Sequence, residues 1–173
     1  MKTFSRFLAV SGTVSFILVS VFSIIFWYIF AKNCEDYLKL AGDAPNIEKA
    51  DKFLGQALAH IEKENLTSGN SAYMFKTPIN DVGIWHEQIK GAKDTTEDII
   101  KRIKENPLAV SQLERDNALM KIREVVLDGS KKGTKVTLPD AITWFPYQWG
   151  MLIWWCMSVI SAIAGWLLVK KMN

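Results

Sequence analysis

His60 and Glu64 stand four residues apart, so a helix would set them on one face, and His86-Glu87 forms a second imidazole–carboxylate pair downstream. Paired groups of this kind can hold a metal between helices. The bundle proteins that do so repeat a Glu-x-x-His motif, which this chain lacks. The imidazoles therefore read as solvated or capping groups, and no metal is expected. Cys156 lies inside an apolar run and Cys34 just outside another, so the two thiols have no metal-ligand spacing and are poorly placed for a disulfide. An unpaired Cys34 in an oxidising compartment would be able to cross-link two copies. Asp94, Glu97 and Asp98 alternate with Lys93, Lys101 and Arg102, the pattern of a charged helix surface. No Ser/His/Asp order, glycine-rich phosphate loop or isolated carboxylate pair stands out. Neither an enzymatic activity nor a cofactor is expected. Asn65-Leu66-Thr67 matches the N-glycosylation sequon. Trp85 is the one tryptophan distant from the apolar runs. With Tyr73 and Phe75 nearby in sequence it offers contacts for a small ligand or partner, although core packing of loop against helix explains the same residues.

The elements that would position these residues follow from the distribution of charge. All 18 acidic residues of the 173-residue chain lie between Glu35 and Asp140, and 17 of its 21 Lys and Arg lie in 32–148. The middle is thus near neutral, and the net +3 comes from Lys2, Arg6, Lys170 and Lys171 at the two ends. That arrangement forms no basic face and excludes nucleic-acid binding. Residues 7–31 are a run of 25 without charge and 149–169 a run of 21, each long enough to cross a hydrocarbon core of about 30 Å as a helix. Bulky residues continue from Ile24 to Phe30 without a small-x-small site, so the first run reads as an anchor and not as a cleaved signal peptide. Short basic tails at 1–6 and 170–173 place both termini in the cytoplasm by the positive-inside rule. Residues 32–148 would then face the periplasm, the cell exterior or an organelle lumen, with the plasma (bacterial inner) membrane the expected location. Trp27, Tyr28, Trp144, Phe145, Tyr147 and Trp149 would sit at the outer interface, where amphipathic rings are favoured. Small residues mark where the two helices approach: Ser11, Gly12 and Ser15 in the first, Ser158, Ser161, Ala162 and Gly165 in the second. They predict an antiparallel hairpin that touches in the inner leaflet, or the same faces meeting a partner's helix.

The middle reads as helices. The first span is expected to continue past Lys32 until Gly42 and Pro45 break it. Asn46 would cap a second helix with the apolar stripe Ile47, Ala50, Leu54, Ala57, Leu58, Ile61. Residues 66–76 are expected to be an ordered loop that packs Tyr73, Met74 and Phe75. Thr77-Pro78 would then open a long helix with the stripe Val82, Trp85, Ile89, Ala92, Thr96, Ile99, Ile103. A third helix begins either at Asn106-Pro107 or at Ser111, which has capping-box spacing to Glu114, and runs to Asp128-Gly129. A mobile Gly/Lys turn, a short strand within 135–138 and an aromatic surface segment at 141–148 would complete the domain. The fold class is therefore an all-α membrane protein, two transmembrane helices flanking a small extracytoplasmic helical bundle.

In layout, span–bundle–span is similar to the sensory half of bacterial chemoreceptors, a likeness of order that no motif carries. The long signalling helices of such a receptor are not expected, because four residues follow the second span. The residues favour a non-enzymatic accessory, scaffold or assembly subunit of a larger membrane complex, whose partners are the lipid bilayer and other membrane subunits or copies of itself. A ligand-sensing module that signals through a partner is the first alternative. A holin-like or immunity-type membrane-active protein is the second.

Overall fold

The computed structural model describes residues 2–128 and 135–172. The described residues are predominantly helical, with a short two-stranded ladder and an isolated bridge between Asn70 and Asp81, and the chain divides into two compact units. The first unit holds helix α1 (Lys2–Phe30) as far as Tyr28, and the chain from Thr143 through helix α6 (Gln148–Met172). Both helices are long and apolar enough to cross a membrane. Their large side chains, from Phe4 to Ile29 and from Leu152 to Leu168, are mostly exposed, which suits a lipid solvent and not water.

The second unit, Ile29–Ile142, is a helical bundle. The helical path of α1 does not stop at Phe30. It passes through a π-helical turn, Ala31–Glu35, into α2 (Asp36–Gly42). Phe30, Cys34 and Leu38 follow each other at four-residue steps and are all buried. At 3.6 residues per turn such a row would drift off the core face, and the wider π turn keeps it there. α3 (Ile47–Lys63) packs back along this segment. Asn46 caps it by accepting from the Lys49 amide (2.9 Å), and the stripe from Ile47 to Ile61 is buried as its period dictates. α3 ends where Asn65 takes a left-handed conformation (φ 56°), with Asn65 N–H donating to Glu62 O and Leu66 N–H to Ile61 O. That double bond pattern and the buried Leu66 make a Schellman cap.

α4 (Val82–Glu105) runs antiparallel to α3, and α5 (Gln112–Val126) returns along α4. The α4 helix starts later than the Thr77-Pro78 reading. Pro78–Asn80 forms a separate 3-10 turn, and Asp81 is the cap, accepting from the Ile84 amide at 3.0 Å. Proline fits the first position of either helix type, so the pattern did not discriminate between them. Ser111 starts α5, accepting from the Glu114 amide at 3.2 Å. The helix stops at Val126, before Asp128, because β1 (Leu127–Asp128) pairs antiparallel with β2 (Lys135–Val136). The Gly/Lys turn expected between these strands lies outside the described residues. At the end where α3 starts and α4 stops, Ile47, Ile99, Val110 and Ala118 seal the core.

Candidate functional site

In the first unit, the small residues of α1 and α6 meet along an antiparallel seam. Ser15 Oγ and Ser158 Oγ are 2.8 Å apart, and Trp154 Nε1–H donates to Ser15 Oγ at 2.9 Å. A Cβ on Gly12 would collide with the Ser161 and Ala162 backbone, and one on Gly165 with the backbone of Ala9. Glycine is required at both points because the two backbones all but touch. Higher on the seam Phe16 and Trp155 pack with ring centroids 4.9 Å apart. Ser11 turns back on its own helix, donating to Leu8 O at 3.3 Å. Ala9 and Thr13 also belong to the contact: Trp166 Nε1–H donates to Thr13 Oγ1 at 3.4 Å. The four-residue steps Ser5, Ala9, Thr13 carry the signal that would have found them. Among the aromatic residues expected at the interface, Trp27, Tyr28, Tyr147 and Trp149 are exposed, whereas Trp144 and Phe145 are half-buried.

In the bundle, Trp85 and its supposed companions separate. Trp85 is buried and donates Nε1–H to Thr137 O at 3.0 Å. Its ring borders a cavity of about 310 Å³ that is also lined by Pro78, Ile79, Gln88 and Leu138. Tyr73 and Phe75 do not line that cavity. Met74 and Phe75 are exposed, which corrects the expectation that the loop packs them. The loop is held at its root instead. Ser71 N–H donates to Asn80 O (3.0 Å), Val82 N–H to Gly69 O (2.9 Å), and Asp140 N–H to the buried Asn80 side chain (Oδ1, 2.9 Å). Asn80 thus clips the loop to the returning chain. A polar residue in a polar stretch gives no sequence signal of that role.

Several titratable groups take part in packing and in ion pairs. His60 packs edge-on against Phe30, centroids 6.1 Å apart. Burial lowers its pKa below the ordinary imidazole value; Glu64 opposes the shift and Lys63 adds to it. His86 Nε2 is 3.9 Å from Glu62 Oε1, and Glu87 is exposed. No cluster of three metal-ligating side chains occurs among the described residues. Lys93 bridges α3 and α4, donating to Asp51 Oδ1 (2.7 Å) and Glu97 Oε1 (2.6 Å), and the buried Thr96 hydroxyl donates to the same Asp51 oxygen (2.7 Å). Burial works against the Lys93 ammonium, but Asp51 and Glu97 outweigh it and raise its pKa. On α4, Asp98 and Glu97 therefore belong to ion pairs, Asp98 with Arg102, as a charged helix surface should. Cys34 is fully buried in the bundle, so it cannot cross-link copies of the folded chain. The exposed thiol is Cys156. Asn65 of the sequon is exposed, but its left-handed backbone gives it a capping role whether or not it carries sugar.

No protein-family model, curated protein or solved structure matches this chain.

Proposed function

We propose that the chain is a non-enzymatic two-span protein of the plasma (bacterial inner) membrane, both termini cytoplasmic and the bundle extracytoplasmic, serving as an accessory, scaffold or assembly subunit of a larger membrane complex. The observation that carries this reading is at the α4–α5 turn. Leu108 is 94% exposed and Leu113 70%, beside the point where Val110 and Ala118 seal the core. Large apolar side chains offered to water on both sides of a sealed core are what a partner's surface would cover. The seam between α1 and α6 uses their small residues within the chain, which leaves partner contacts to this turn and to the outward faces of the helices. The test is extraction of the tagged chain from its own membrane in mild detergent, followed by native mass determination and identification of what accompanies it. A defined assembly with other subunits in fixed ratio is expected, and Leu108→Ser with Leu113→Ser should release the chain from it. A bare monomer or dimer contradicts the proposal.

The cavity beside Trp85 favours a second reading, an extracytoplasmic sensor that signals through a partner. A pocket of this size fits a small ligand. That reading requires a saturable, ligand-dependent change in Trp85 fluorescence that is absent in Trp85→Phe.

A further inference from the structure

A second set of apolar side chains lies at the other end of the bundle and calls for a different occupant. Met74, Phe75 and Ile79 are 80%, 77% and 77% exposed within six residues. Single exposed apolar residues are ordinary, but three large ones within six residues, two in the loop and Ile79 in the 3-10 turn that follows it, are not. Their loop is rooted where α3 stops and α4 starts: Leu66 N–H bonds Ile61 O (2.8 Å) at one root, and Val82 N–H bonds Gly69 O (2.9 Å) at the other. The unit's own chain begins and ends at this same end. Phe30 lies against His60 of the last turn of α3, and Asp140 N–H is held by Asn80 of the loop. The chain therefore enters and leaves this unit beside the loop. Between residues 65 and 80 the one charged side chain is Lys76, exposed and next to Phe75. Apolar and aromatic tips flanking a cation are the chemistry of an anionic bilayer surface: the rings and thioether suit the acyl boundary, and the ammonium the headgroups.

We propose that the 73–79 loop is a membrane-surface anchor, with Met74, Phe75 and Ile79 inserted into the same bilayer that α1 and α6 cross and Lys76 among its anionic headgroups. Inserted so, the loop fixes how the bundle stands on the membrane. The proposal rests on the two-span reading, and its test separates the two.

Nitroxide labels are placed one at a time on Phe75→Cys, Leu108→Cys and Ile160→Cys in the full chain carrying Cys156→Ala; Cys34 is buried and escapes the reagent. The labelled protein is reconstituted into phosphatidylethanolamine–phosphatidylglycerol vesicles, and collision rates are measured with oxygen, which concentrates in lipid, and with a water-soluble nickel chelate. The Phe75 label should show an oxygen-to-nickel ratio several-fold above that of Leu108 and approaching that of Ile160 in the middle of α6. A Phe75 ratio equal to that of Leu108, with Ile160 still in lipid, overturns the anchor and leaves the two spans standing. A Phe75 label shielded from both reagents also overturns it and assigns the loop to a protein contact. An Ile160 label open to nickel removes the spanning reading and the anchor together.

Discussion

Single residues in the bundle do structural work that their types alone do not announce. Lys93, Asp51, Glu97 and Thr96 tie α3 to α4 through one mostly buried cation, the side chains of Lys93 and Asp51 being 16% and 23% exposed. Removing one member of such a group leaves the others desolvated without compensation. Asp51→Ala should therefore destabilise the chain by about 1–3 kcal/mol in denaturant titrations followed by circular dichroism. A change below about 0.5 kcal/mol, the range of ordinary surface substitutions, would contradict that role. His60 makes stability depend on pH. Its folded pKa is depressed, so below the ordinary imidazole value the unfolded chain binds more protons, and stability rises with pH. The contribution is complete above about pH 6.5 and is lost as the pH falls through that value toward the lowered folded one. The melting temperature should drop as the pH falls below about 6.5, and His60→Gln should flatten that part of the curve. An unchanged slope in the variant would assign the acid loss to other groups.

At the scale of elements, periodicity made the buried stripes legible. The apolar rows of α3 and α4 lie inward at the positions their 3.6-residue period requires, because amphipathic burial is what holds such helices. Ends were less legible. The Thr77-Pro78 start was displaced by four residues because Asp81 offers a capping carboxylate, and the end of α5 came earlier because β1 and β2 claim Leu127 and Asp128. The π turn at Ala31–Glu35 and the clip at Asn80 depend on tertiary contacts, so local pattern could not reveal them. The seam between α1 and α6 rests on backbone approach at Gly12 and Gly165, and a larger side chain there must separate the helices. In a Cys156→Ala background, Ser15→Cys with Ser158→Cys should oxidise to an intrachain disulfide in native membranes. Gly165→Leu should abolish most of that product, at a cost of about 1–3 kcal/mol of packing. A disulfide formed mainly between two chains would mean that the seam belongs to a dimer.

For the molecule as a whole, the partition of charge already separated two apolar helices from a near-neutral middle, and the structure divides along similar lines, at Ile29 and Ile142. The two long apolar helices were legible because charge-free runs of 25 and 21 residues are long enough to cross a membrane as helices. The role was not, because Leu108 and Leu113, which we propose meet a partner, look like ordinary leucines until their exposure is known. Every functional proposal above depends on both helices crossing one membrane with the bundle on the outer side. Cysteine accessibility in intact cells tests that directly. With Cys156→Ala as background, Thr3→Cys, Lys52→Cys on the exposed side of α3 and Lys171→Cys are each exposed to a membrane-impermeant maleimide before and after lysis. The expected result is that Lys52→Cys reacts in intact cells while Thr3→Cys and Lys171→Cys react only after lysis. Labelling of the two terminal positions in intact cells, or protection of Lys52→Cys until lysis, would contradict the proposed topology.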